Sequence, residues 1–152
     1  MLNESSAAGV AEAQFELGRL HLNGGFEGAD PTVGRELLVQ AAKTGSAAAI
    51  TLLKSLAGED AQQGDVDVQF VLGCMYSEGE GVDLDYAEAS RWWRKAAEQG
   101  DADAQFNLGL QFASGMGVTE DHDEALRWLR NAATQGHEVA RERLEELRQG
   151  FT

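Results

Sequence analysis

Residues 67–100 read DVQFVLGCMYSEGEGVDLDYAEASRWWRKAAEQG, and residues 103–136 read DAQFNLGLQFASGMGVTEDHDEALRWLRNAATQG. Set one under the other without a gap, 18 of the 34 positions agree. Composition alone does not produce that agreement, so the chain contains an internal repeat. Further toward the N-terminus, residues 12–45, EAQFELGRLHLNGGFEGADPTVGRELLVQAAKTG, fit the same frame. Gln14, Gln69 and Gln105 coincide, as do Leu17, Leu72 and Leu108, and then Gly18, Gly73 and Gly109. Each unit closes on Ala-Ala-x-x-Gly, at Gly45, Gly100 and Gly136.

The spacing between units is uneven. Gly100 to Gly136 is 36 residues, whereas Gly45 to Gly100 is 55. The excess of 19 residues is the stretch 46–64, SAAAITLLKSLAGEDAQQG, which keeps the start and the Ala-Gln-Gln-Gly end of a unit without its middle. Residues 47–56 have room for one short helix, and 59–63 for about one further turn, which predicts a break in the stacking. Residues 138–149, EVARERLEELRQ, hold only the first helix of another unit. The expected organisation is a single repeat domain over 1–152. Its units span about 10–45, 46–64 (shortened), 65–100 and 101–136, followed by a capping helix over 137–149.

Each full unit divides into two helical patterns around a glycine loop. The loops Gly79-Glu80-Gly81-Val82 and Gly115-Met116-Gly117-Val118 suit a helix that ends on a left-handed glycine. The second helix is expected to open at Asp85 and Asp121, which are good caps, and at Asp30-Pro31, where proline fits the first turn. Its large residues alternate with alanines: Ala89, Trp92, Trp93, Ala96 and Ala97 in one copy, Ala125, Trp128, Leu129, Ala132 and Ala133 in the next. A glycine recurring inside the first helix at 18, 73 and 109 costs about 1 kcal/mol relative to alanine. Close approach of the partner helix would offset that cost. One such hairpin cannot bury both of its faces, so neighbours must stack.

Lysine and arginine total 12 against 26 acidic residues, a formal net charge of −14. Nucleic acid and anionic membrane surfaces both require clustered positive charge, so neither is an expected partner. No apolar run approaches the roughly 20 residues of a membrane span. One cysteine, Cys74, rules out an internal disulfide framework. His21, His122 and His137 stand apart from any cysteine or carboxylate at metal-ligand spacing, and packing or surface roles are expected of them. The glycine turns lack the lysine and hydroxyl of a phosphate loop, and no nucleophile elbow is present. Thr119-Glu120-Asp121-His122-Asp123-Glu124 lacks calcium-loop spacing. No cofactor, metal or catalytic residue is expected.

The pattern Ala-x-Ala-Gln-x-x-Leu-Gly-x-x-Tyr, then Gly-x-Gly-Val, then Ala-x-x-Trp-x-x-x-Ala-Ala-x-x-Gly resembles the Sel-one-like repeat, a relative of the tetratricopeptide repeat. The likeness covers nearly the whole chain and is most specific over residues 66–136. The first unit departs from it with His21 and Leu37 at aromatic positions and Phe26 in the loop. The resemblance implies an all-α, right-handed α/α superhelix, a solenoid of stacked helix-turn-helix repeats. It also implies a non-enzymatic adaptor that binds a protein or peptide through a concave face. The other classes in view are a self-associating structural subunit and a regulator or enzyme that depends on a small molecule or metal.

In the tetratricopeptide frame the first helix of each pair lines the groove. The resemblance thus places Glu12, Phe15 and Arg19, then Asp67, Phe70 and Cys74, then Asp103, Phe106 and Leu110 on the partner-binding side. Phe15, Phe70 and Phe106 share one frame position. They form either an apolar stripe edged by carboxylates, suited to a basic or amphipathic peptide, or part of the core between helices. The polar C-terminal helix suits a solvent-facing cap, whereas the N-terminal end has none and offers a face for homo-association. Met1 to Ser6 lack a basic start and an apolar run. The expected address is cytoplasmic, or periplasmic or exported if a leader has been removed.

Overall fold

The computed structural model describes residues 4–58 and 64–150, and among these every regular element is an α-helix. The order is α1 (Glu4–Leu22), α2 (Pro31–Lys43), α3 (Ala47–Ala57), α4 (Val66–Glu78), α5 (Tyr86–Glu98), α6 (Ala102–Ser114), α7 (His122–Thr134) and α8 (Glu138–Gly150). Helices α1/α2, α4/α5 and α6/α7 form the three full hairpins. The chain is thus an all-α repeat fold.

Short polar residues start these helices for a local reason. The carboxylates of Asp30, Asp85 and Asp121 accept the backbone N–H groups of Thr32, Glu88 and Glu124 at 2.8, 3.0 and 3.1 Å. Asp65, Asp101 and the hydroxyl of Ser46 do the same for α4, α6 and α3. Each such cap is worth about 1 kcal/mol. Helices α4 and α6 stop at Gly79 and Gly115, whose φ values of 70° and 73° no other residue type adopts cheaply.

Within each hairpin the recurring glycine lets the partner helix approach. A Cβ on Gly73 would run into the indole of Trp93, and one on Gly109 would lie 2.8 Å from Leu129. The first hairpin, which has leucine at position 37 in place of tryptophan, sets two glycines against each other. Gly18 meets the carbonyl of Gly34, and Gly34 meets that of Gly18. Trp92 and Trp128 are buried, and neither indole N–H has a partner.

Between hairpins, a buried glutamine joins α4 and α6 each to the helix before it. Gln105 donates from Nε2 to the carbonyl of Ala97 on α5, at 3.1 Å. Its Oε1 accepts from Gln135 at 2.9 Å, and Gln135 also donates to Gly100 O. The pattern repeats one unit earlier, where Gln69 donates to Ala57 O at 2.8 Å and Gln99 donates to both Gln69 Oε1 and Gly64 O.

That repetition shows what the shortened unit does. Ala57 lies on α3, so α3 serves α4 as α5 serves α6. The turn bonds agree: Asp65 N–H reaches Leu56 O at 2.9 Å, as Asp101 N–H reaches Ala96 O at 3.1 Å. Yet α3 also packs after α2 as a first helix does after a closed unit, with Ser46 N–H on Ala41 O. A single helix fills both places: toward α2 it is a first helix, and toward α4 it is a second helix. Residues 59–63, where the return turn was expected, lie outside the described residues.

Candidate functional site

The first helices α1, α4 and α6 present the three frame-related carboxylates Glu12, Asp67 and Asp103, all exposed. Three residues further on, one helical turn along the same face, stand Phe15, Phe70 and Phe106. Each phenylalanine is half-buried. Phe15 packs on the core formed by α2, α3 and α4, Phe70 on that of α5, α6 and α7, and Phe106 on Leu129, Ala132, Ala140 and Leu144. The rings therefore sit in three successive seams between units, with one edge toward solvent.

Arg19 is exposed and pairs with Glu16 at 2.7 Å. Leu110 lines a shallow apolar depression of about 180 Å³ with Tyr86, Trp93 and Met116. Cys74 is half-buried among the second core. Burial pushes its thiol above the ordinary range, against the opposing pull of the Trp93 side chain. That direction disfavours the thiolate at neutral pH.

Each histidine makes contacts within the described residues. His21 accepts the Asp30 N–H on Nδ1 at 3.0 Å and meets Phe26 edge-on. His122 pairs with Glu120 at 3.4 Å. His137 accepts the Ala140 N–H on Nδ1, contacts Asp103 Oδ1 through Nε2 at 3.0 Å, and stacks on Phe106 at 4.7 Å. No cluster of three or more potential metal ligands occurs among the described residues. No helix there is long and apolar enough to cross a membrane.

Two depressions lie near the shortened unit. One, of about 500 Å³, is lined by Ala11, Glu12, Phe15 and Glu16 of α1 and by the turn 44–46. The other, of about 450 Å³, lies between α2 and α4. Val39, Val68 and Val71 supply its apolar part, with Arg35, Lys43 and Asp67 among the charged residues around them. Two ion pairs bind its walls: Arg35 to Asp65 at 3.4 Å and Lys43 to Glu80 at 3.2 Å. Of the residues expected on the partner-binding side, Glu12 and Phe15 fall in the first depression and Asp67 in the second. The α2 wall was missed in the sequence. The signal was the 17-residue gap in the shortened unit, which brings a second helix, α2, beside a first helix, α4.

Residues 11–46, 66–101 and 102–137 each match the family model of the Sel1 repeat. Among solved structures, a Sel1 repeat protein from Oxalobacter formigenes is 34% identical over 94% of this chain and 95% of its own, with a TM-score of 0.55. A protective antigen of uropathogenic Escherichia coli, described as displaying an SLR fold, is 31% identical over 92% of this chain, with a TM-score of 0.51. This chain spans 27% of that antigen's length. No curated protein matches the sequence.

Proposed function

Because the chain belongs to the Sel1 repeat family, whose members are generally non-catalytic protein-interaction modules, we propose that it is an adaptor that grips a basic, amphipathic peptide or helix along its first-helix face. The observation that carries this reading is the recurrence of an exposed carboxylate one turn before a half-exposed phenylalanine, at Glu12/Phe15, Asp67/Phe70 and Asp103/Phe106. Three acidic positions in register offer charge complementarity to lysine or arginine. The ring edges and the depressions beside α3 offer apolar contact between them. The acidity of the whole chain favours encounter with such a partner over an acidic one.

The test is a randomised peptide library panned against the folded chain and against a Glu12→Gln, Asp67→Asn, Asp103→Asn variant. These side chains are exposed, so the fold is retained. The expected result is enrichment of sequences that alternate basic and apolar residues, lost in the variant. Equal enrichment on both proteins would remove recognition from this face.

A further inference from the structure

A third depression, of about 510 Å³, lies between the end of α3 and the middle of α5. Lys54, Ser55 and Gly58 line it from one side, and Arg91, Trp92 and Lys95 from the other. Lys54 and Gly58 are four residues apart, as are Arg91 and Lys95, so each pair shares one side of its helix. Three of the chain's 12 lysines and arginines converge here, in a sequence with 26 acidic residues. Among the described residues, no carboxylate lines the depression.

The two lysines are held in place without being neutralised. Lys54 Nζ lies over the ring of Tyr76, 5.3 Å from its centroid. Lys95 Nζ donates to Gly58 O at 3.1 Å and lies over the ring of Trp92 at 4.5 Å. A ring face and a carbonyl orient an ammonium but leave its unit charge in place, and each ammonium has three N–H groups to give. Neither lysine has a carboxylate partner among the described residues. Arg91 pairs with Glu88 at 3.1 Å, yet its side chain is 73% exposed, so it keeps N–H groups for a further acceptor. The next junction of the stack is built differently. In the frame that sets Leu56 and Ala57 against Ala96 and Ala97, Glu98 stands in the place of Gly58, and Asn131 of α7 stands where α5 has Lys95.

Two ammonium groups, a guanidinium and the Ser55 hydroxyl supply donors from both walls. That set suits an oxyanion with three oxygens and a charge near −2 better than a lone carboxylate. The volume lies within the range of about 300–1,000 Å³ typical of small-molecule sites, which leaves space for an organic group beside the anion. A polyanion would meet the net charge of −14 over a wide surface. A single compact dianion is instead governed by the charges within a Debye length of about 8 Å, and here those on the walls are positive. We propose that the depression between α3 and α5 binds the phosphate monoester group of a small soluble molecule. It shares no residue with the carboxylate and phenylalanine face of the first helices, so either reading can fail without the other.

The probe is glycerol 3-phosphate at about pH 8, where a phosphate ester is dianionic. It is titrated into the full chain at constant ionic strength and followed by the backbone amide signals of Ser55, Gly58 and Lys95 in nitrogen-15 correlation spectra. We expect saturable shifts, with the affinity lowered at least about fivefold by Lys54→Gln and by Arg91→Gln. Arg130→Gln removes one positive charge from an exposed position of α7 outside the depression and should leave the affinity unchanged. Neither Lys54 nor Arg91 is buried, so the variants keep the fold, which circular dichroism and the melting temperature verify. Shifts that grow without saturation, that sodium chloride reproduces, or that Arg130→Gln reduces as much as Lys54→Gln does would overturn the proposal. Inorganic phosphate binding as tightly as the ester would reassign the site to the free ion and overturn it as well. So would retention of the chain on phosphatidic acid vesicles without any response to the soluble ester.

Discussion

Helices α3 and α8 are the same element in two situations. Each comes after an Ala-Ala-x-x-Gly turn, with Gly45 at φ 103° and Gly136 at φ 92°. Among the described residues, each is a first helix without a second helix paired to it. Each is capped at its start, by Ser46 Oγ on the Ala49 N–H and by His137 Nδ1 on the Ala140 N–H. Each buries the same two positions against the preceding helix, Ala49 and Leu53 in one, Ala140 and Leu144 in the other. They differ on the far side. Where α3 has Ile50, Leu52 and Ala57, α8 has Arg141, Arg143 and Arg148. Helix α3 accordingly carries α4 on that side, whereas α8 packs on α7 and on Phe106 of α6. The comparison ties the packing of α4 to the apolar side chains that α3 presents on that side, Ile50, Leu52 and Ala57.

The harshest way to break this comparison is to write one of the α8 residues into α3. Ala57→Arg, which copies Arg148, places a long cation at a fully buried contact next to the carbonyl that Gln69 uses. An unpaired buried charge belongs with the rare changes that cost more than about 4 kcal/mol. In urea denaturation the expected result is a loss of that order, with the N-terminal three helices melting before the remaining five. A loss below about 1 kcal/mol would show that α4 does not need α3 as its second helix.

Leucine truncation sharpens the same contrast at lower cost. Leu53 and Leu144 occupy one frame position, but Leu53 belongs to a core joining α2, α3 and α4, while Leu144 seals the edge of the stack. Leu53→Ala should lose toward the upper end of the usual range of about 2–5 kcal/mol, and Leu144→Ala toward the lower end. The difference is read from the two denaturation midpoints at constant slope. Equal losses would mean that the double packing of α3 adds no stability.

Much of this architecture was legible in the sequence because it rests on local chemistry. The aspartate caps, the left-handed glycines and the glycine opposite Trp93 all depend on one residue and its nearest neighbours. So did the buried tryptophans. The double service of α3 was not legible. The stretch 46–64 looks like a unit with its middle removed, and nothing local says that Leu56 and Ala57 will make the bonds that Ala96 and Ala97 make elsewhere. That outcome depends on where α4 comes to rest, which is a tertiary fact. The phenylalanines stayed ambiguous for the related reason that a ring in a seam is both core and surface. The depression lined by Lys54, Arg91 and Lys95 became visible only once α3 and α5 could be seen side by side.

The two caps give the finest test of the comparison. Ser46 supplies α3 with one hydrogen bond at 3.2 Å, and Ser46→Ala should cost about 1 kcal/mol. His137 supplies α8 with an equivalent bond at 3.1 Å, but its ring also stacks on Phe106 and reaches Asp103. A stacked ring pair adds about 0.5–1.5 kcal/mol beyond its buried area. His137→Ala should therefore cost more than Ser46→Ala by about that margin. His137→Asn, which retains a capping side chain and discards the ring, should fall between the two. Thermal denaturation of the three variants at neutral pH checks the order. If His137→Ala and Ser46→Ala lose the same amount, the stack on Phe106 holds nothing and α8 rests on Ala140 and Leu144 alone. If the expected order emerges, the stack holds its end helix with a ring where it holds its interior helix with a second packed face.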